Sequence, residues 1–406
     1  MSLSWMAAAL LLQAPLMKSI TEFGVSSSAS AEANRDSLQA AINWASPRGA
    51  ALWVEPSEEP YPVSGGVILK RNVVLVGAQG PVGRGTKHPA KPQPVGSVFS
   101  IRDTSKPFIT VEAATQVKGI QFWYPDQTLS DPSKIVVYPP TIQVSQTSNA
   151  EGVTLRDLTF YGETFAMDFA ASPNHPCEQI LIEHCYGYPL SGKFISIDFC
   201  YDVPRILNCH VNPANLRQFR GGYSRSVIDS VVARRTFSYE INHTDNAQLM
   251  GIFTFGAFGG IKLGAASYGQ LSVFNLDCVT IGIDKDGDNE FNRNWMLSNG
   301  SIIANVGPKV EDIHPIVVRG RGHLSLNAVE AFSGGNGALT TLGQSQDFLL
   351  VEGSQKLTVS LLGCRMRNYV GDMPITVKNP RAQIRASACF DKEENLFEAV
   401  WPKARP

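Results

Sequence analysis

Residues 151–160, Glu-Gly-Val-Thr-Leu-Arg-Asp-Leu-Thr-Phe, place Val153, Leu155, Leu158 and Phe160 in the frame apolar-x-apolar-x-x-apolar-x-apolar. Two alternating stretches with a break between them describe two short strands joined at a turn. The frame returns at Ile180/Ile182/Cys185, Ile206/Cys209/Val211, Leu271/Val273/Leu276/Cys278, Leu324/Leu326/Val329/Ala331, Val359/Leu361/Cys364/Met366 and Ile384/Ala386/Cys389. Weaker copies sit at Ile228/Val231, Met250/Phe253/Phe255 and Asn299/Ile302. Marker positions 155, 182, 206, 228, 250, 273, 299, 326, 361 and 386 step by 22 to 27 residues, with one step of 35. A repeat of this length, built from short strands, reads as a β-solenoid.

A second strand type lies between the copies: Phe165-Ala-Met-Asp-Phe, Phe194-Ile-Ser-Ile-Asp-Phe, Phe237-Ser-Tyr-Glu-Ile, Gly260-Ile-Lys-Leu, Ile281-Gly-Ile-Asp, Ile316-Val-Val-Arg and Ile375-Thr-Val-Lys. Each alternates apolar and polar residues, as a half-buried strand does. Stacked coils would pair these strands in parallel about 4.8 Å apart. Six of the seven cysteines fit the same period, with Cys177 and Cys200 separated by 23 residues, Cys185 and Cys209 by 24, and Cys364 and Cys389 by 25. An odd count without a C-x-x-C pair supports neither a full disulfide framework nor a zinc ribbon. Small buried hydrophobes stacked at a turn is the reading that remains.

Composition agrees with this. The 406 residues carry 35 Lys+Arg and 36 Asp+Glu, and this balance excludes a general nucleic-acid binder. Only 17% are charged and 43% hydrophobic, which excludes disorder. The apolar run Ser4–Gln13 is too short for a membrane span, which needs about 20 residues, and has no Lys or Arg before it as a signal peptide would. Residues 1–18 are expected to form an apolar helix or extension over the core.

The front of the chain carries a more specific pattern: Phe23-Gly24-Val25, then Leu38-Gln39-Ala40-Ala41-Ile42 inside an amphipathic helix from Asn34 to Ala45, then Leu52-Trp53-Val54-Glu55-Pro56, then Val74-Leu75-Val76-Gly77. This resembles the opening module of the pectate-lyase-like superfamily, which runs "FGA", "IQAAI", "VYFPPGTY" and a strand ending in "L-x-G". The acidic "GDGxTDD" of that module is replaced by Ser26-Ser27-Ser28-Ala29-Ser30. The resemblance implies an all-β chain, a right-handed parallel β-helix of about ten or more coils with an N-terminal helical cap. The β-helix is expected over 19–390, with the opening module at 19–80 and loop-rich insertions at 81–150, and a C-terminal cap over 391–406. Residues 393–400 are expected to be helical there. Trp123, Tyr124 and Tyr138 in the second insertion are candidate sugar-stacking faces.

In this superfamily catalysis usually lies on one sheet face, and a fold alone does not fix the reaction. The outward residues of the second strand type are Asp168, Asp198, Glu240, Lys262, Asp284 and Arg319. Glycoside cleavage uses paired carboxylates, separated by about 6.5–9.5 Å in inverting enzymes. Spacing places Asp198 and Glu240 two coils apart, and Glu240 and Asp284 likewise. Asp198, Glu240 and Asp284 are therefore the candidate catalytic residues, with Lys262, His243, Asp245 and Arg319 as substrate contacts. Asp284-Lys-Asp-Gly-Asp-Asn-Glu290 sets oxygen ligands at alternate positions, but Trp295 stands where an EF-hand has its closing Glu. Asp284, Asp286, Asp288 and Glu290 remain candidates for an irregular Ca²⁺ site, while the leading reading requires no cofactor.

Three functions stay open: a glycoside hydrolase acting on a polysaccharide, a polysaccharide lyase acting on uronic acids, and a non-catalytic glycan-binding or structural β-helix. The polygalacturonase pattern is not reproduced; His243-Thr244-Asp245 and Asp277-Cys278 only echo it. The expected partner is a polysaccharide or oligosaccharide, not nucleic acid, with homo-oligomerisation open. The expected location is extracellular or periplasmic.

Overall fold

The structure, a computed structural model, describes residues 16–78, 88, 90–213, 224–289, 294–332 and 343–402. The helix or extension expected over residues 1–18 lies outside these except at its end, where Met17–Ser19 is a strand rather than a helix. The chain winds through an eleven-stranded sheet, a three-stranded ribbon and a bent twenty-one-stranded sheet. Within the eleven-stranded sheet every pairing is parallel, from Val67–Leu69 at one end to Ile375–Val377 at the other. This is the parallel stacking that the repeat predicts.

The x-x break in the frame has a physical cause. Asp157, His184, Asn208, Gly251, Val273, Asn299, Ala328, Gly363 and Ala388 all have φ between 50° and 68°. One left-handed residue per turn bends the large sheet, and the residue two before it and the residue after it point inward. The structure corrects the frame in three places. Val273 and Asn299 are themselves bend residues, so the inward markers there are Leu271 and Leu297, while Leu249 replaces the half-exposed Met250. Ile228 and Val231 belong to no coil; they face inward from a helix, Arg225–Ala233. A spacing of three serves a helix face as well as a bent strand, which is why the frame matched there.

The inward residues form one continuous apolar core from Ile20 to Cys389. Along its axis runs an aromatic ladder: Phe99–Phe108–Phe122–Phe160–Phe194–Tyr239, with centroids 5.0, 6.1, 4.9, 5.8 and 6.2 Å apart. Each such pair adds about 0.5–1.5 kcal/mol beyond area burial. The ladder backs the strands Lys193–Asp198 and Phe237–Ile241, giving their outward residues a rigid floor. All seven cysteines are buried and free, and Cys177 pairs in register with Cys200.

Both ends of the core are covered. At the front, the helix Ala31–Ala45 buries Leu38, Ala41, Ile42 and Ala45, and the Ser30 side chain caps it by accepting the Ala33 N–H. The serine-rich turn before it is held by Asn34, which accepts the Ser26 N–H at 2.8 Å and donates to Ser26 and Pro62 carbonyls at 2.7 and 2.8 Å. One buried amide thus fixes this turn without an acidic motif. At the rear, Leu396–Trp401 is a strand, not the expected helix, and pairs antiparallel with Ala382–Phe390. It covers an edge that would otherwise present unpaired backbone groups. Tyr124 and Tyr138 are buried against each other at 4.7 Å, which removes them as sugar-stacking faces. Among the described residues no helix is long and apolar enough to cross a membrane.

Candidate active site

Register places the outward side chains of the eleven-stranded sheet in rows. One row runs Gln143, Asp168, Ser196, Glu240, Lys262, Asp284, then Val317 and Leu350. The polar part ends at Asp284, because Val317 and Leu350 are buried apolar residues. Glu240, Lys262 and Asp284 are consecutive, so Glu240 and Asp284 lie two strands apart, as their spacing implied.

Asp198 does not share that row. Ser196 pairs with Glu240, so Asp198 stands two residues further along, on the adjacent strand rather than two coils away. The 42-residue interval misled the spacing argument because it contains the helix Arg225–Ala233. Asp198 still faces outward. Its Oδ1 lies 2.8 Å from His243 Nδ1, and the His243 ring stacks on Phe199 at 4.4 Å and 6°. Asp245 is set at the turn beyond, where Oδ1 accepts the Val203 N–H at 3.3 Å.

Lys193, Lys262 and Arg319 on this face are each engaged by a carboxylate. Lys193 Nζ lies 2.8 Å from Glu240 Oε2 and 4.8 Å from the Phe165 ring centre. Lys262 Nζ lies 2.9 Å from Asp286. Arg319 grips Asp284 with Nε–Oδ1 at 3.2 Å and Nη2–Oδ2 at 3.0 Å, and its Nη1 reaches Glu352 at 3.4 Å. Burial pushes the Asp284 carboxyl up to about 6, against the pull of Arg319. Burial disfavours the charged form of Lys262, but Asp286 outweighs this and the ammonium ends above its ordinary value.

Asp168 is different. Its Oδ1 accepts the Ala170 N–H at 3.0 Å, and it has no ion-pair partner among the described residues. Burial raises its pKa, and the charges of Glu240 and Asp198 add to the rise. Ser196, between Asp168 and Glu240, is 4% exposed, and its hydroxyl has no hydrogen bond among the described residues. A short side chain there leaves a notch between two carboxylates two strands, about 9.6 Å, apart at the backbone. One member is pushed towards the protonated form, while the other is held beside an ammonium. That division is what acid–base catalysis requires. Asp168 was legible as an outward carboxylate; its pairing with Glu240 was not, because the helix insertion hides the coil count.

The acidic loop does not converge. Asp284 goes to Arg319, Asp286 to Lys262, and Asp288 Oδ1 accepts the Arg321 N–H at 2.7 Å. Glu290 lies outside the described residues, and among the described ones no group of three metal-binding side chains comes together. A cavity of about 660 Å³ lies elsewhere: it opens on the bent sheet beside His323, Thr358, Arg385 and Trp401.

These stacked parallel strands give the chain a right-handed β-helix fold, as in its structural neighbours. Among solved structures, a cysteine-to-alanine variant of DFA-IIIase from Arthrobacter chlorophenolicus superposes with a TM-score of 0.53 at 12% identity, over 95% of this chain and 90% of that one. The pre-mature gene product 12 of bacteriophage phi29 gives 0.53 at 12% identity, over 96% of this chain and 54% of that one. No protein-family model matches the sequence, and no curated protein sequence matches it.

Proposed function

We propose that this protein is a polysaccharide-active enzyme, a glycoside hydrolase working on the outward face of the eleven-stranded sheet of a β-helix with one coil per strand of that sheet. The observation that carries the reading is the Asp168–Ser196–Glu240 notch. Asp168 would protonate the glycosidic oxygen, and Glu240 would activate a water on the opposite side of the bond. Asp284 is a weaker acid candidate, because Arg319 holds both its oxygens. Lys262, His243, Asp245 and Arg319 are assigned to the substrate-facing surroundings, and no step calls for Ca²⁺. The β-helix proper spans 19–390 and the cap 391–406, and action on a polysaccharide suits an exported protein. Incubation with a panel of polysaccharides tests the reading: new reducing ends without absorbance from a new double bond are expected. Unsaturated products would establish a lyase instead.

A second reading has its own observation. The 660 Å³ cavity beside Trp401 combines a half-exposed indole with Gln383, Thr358 and Arg385. An aromatic plane flanked by hydrogen-bonding groups suits sugar binding without cleavage. Trp401→Ala should then abolish glycan binding while the carboxylate variants leave it intact.

A further inference from the structure

The charge arrangement of the sheet face says which glycans it can hold. An anionic sugar needs a cation that is free to meet its carboxylate. Around the notch the described cations are already neutralised by carboxylates, Lys193 by Glu240, Lys262 by Asp286, and Arg319 by both Asp284 and Glu352, and the exposed Lys378 lies at the far end of the sheet. Among the described residues Asp168 and Asp198 remain without a Lys or Arg partner at contact distance, and Asp198 faces a histidine. Carboxylates outnumber Lys and Arg around the notch, so a uronate would meet net like charge there. The floor between Asp168 and Glu240 is the Ser196 hydroxyl, nine-tenths buried and unengaged. It is a neutral donor and acceptor suited to a sugar hydroxyl. An aromatic plane at this end, Phe165, is covered on one side by Lys193.

We infer that the sheet face takes an uncharged polysaccharide and rejects polyuronates. This rests on the reading of that face as glycan-binding, but not on its being catalytic. Specificity of this kind is a difference between two affinities, and here it comes from repulsion built into the site as much as from attraction.

Affinity electrophoresis of the full chain tests it, using gels cast with inulin, galactan, mixed-linkage glucan, polygalacturonate, alginate or chitosan, each at 0.15 M salt. At least one neutral polymer should retard the protein, and both polyuronates should bind at least tenfold more weakly. The double variant Asp286→Asn/Glu352→Gln, which frees Lys262 and half of Arg319, should gain at least tenfold in affinity for polygalacturonate. Tighter binding to polygalacturonate, alginate or chitosan than to every neutral polymer overturns the inference. So does retardation by none of them, or a double variant that gains nothing while keeping the unfolding temperature of the parent. Retardation by a neutral polymer that is never cleaved leaves the inference standing and removes only the hydrolase reading.

Discussion

Asp168 and Glu240 occupy the same outward row two strands apart, and the residue between them is a serine whose side chain leaves the gap open. On the other side of Glu240 the gap towards Asp284 is filled by Lys262, which turns to Asp286. The two intervals are equal in strand count and opposite in chemistry: one is a notch, the other a salt-bridged surface.

The interval predicts the stereochemistry. At about 9.6 Å between backbones, the Asp168 and Glu240 carboxyl groups leave room for a water, the geometry of inverting cleavage. Proton NMR of the first-formed reducing sugar should show the anomer opposite to that of the substrate. Retention would point to adjacent-strand carboxylates, of which Asp198 and Glu240 are the nearest pair.

Stability should fall as pH rises from acid to neutral. Asp284 titrates at about 6 in the fold against 3.8 for the unpaired group, so the folded chain keeps a proton that the unfolded chain releases between these values. The contribution of this group is greatest below about pH 4 and is lost by about pH 6, a change of about 3 kcal/mol. Glu163, fully buried with neither carboxyl oxygen hydrogen-bonded to another side chain, is pushed upward by burial and acts in the same direction. Thermal melts at pH 4, 6 and 8 should show the highest transition at pH 4. Glu163→Gln, which removes a group that ionises in the unfolded chain but not in the fold, should gain stability at pH 8 and little at pH 4. A melt that is flat with pH in both proteins would contradict this.

The thiols should be silent in the native state. Since all seven cysteines are buried and free, a thiol reagent should label none of them until the chain is unfolded, and then seven. Labelling below seven after unfolding without reductant would mean that stacked neighbours such as Cys177 and Cys200 had joined as disulfides.

The fold was legible because a parallel stack repeats its burial pattern each turn, and the markers Leu155, Ile182, Ile206, Leu326 and Leu361 all proved inward and buried. The face of each carboxylate was equally legible from alternation within the strand. What sequence could not give is registration across a gap. Between Asp198 and Glu240 the helix Arg225–Ala233 adds length without adding a coil, so the interval overstated their separation. The bend residues Val273 and Asn299 misplaced the frame for a related reason, since an exposed valine and a left-handed asparagine look like strand residues in one dimension. The Ser196 notch had no sequence signal, because a serine is informative only once its two neighbours across the strands are known.

Deleting residues 391–406 should strip the antiparallel strand Leu396–Trp401 from the edge strand Ala382–Phe390. The bared edge offers a row of unpaired backbone groups to other molecules. Light scattering should show association of the truncated chain at concentrations where the parent stays dispersed; an equally stable, dispersed truncation would show that the strand is dispensable.

The central claim is that Glu240 acts on the glycosidic bond, and the direct measurement is turnover of Glu240→Gln on a polysaccharide that the parent cleaves. Loss of the base should lower kcat by about 10²–10⁴-fold. The unfolding temperature should barely move, because a half-exposed pair with Lys193 contributes at most about 1 kcal/mol. A Glu240→Gln protein that folds like the parent and turns over at the parent's rate would contradict the account.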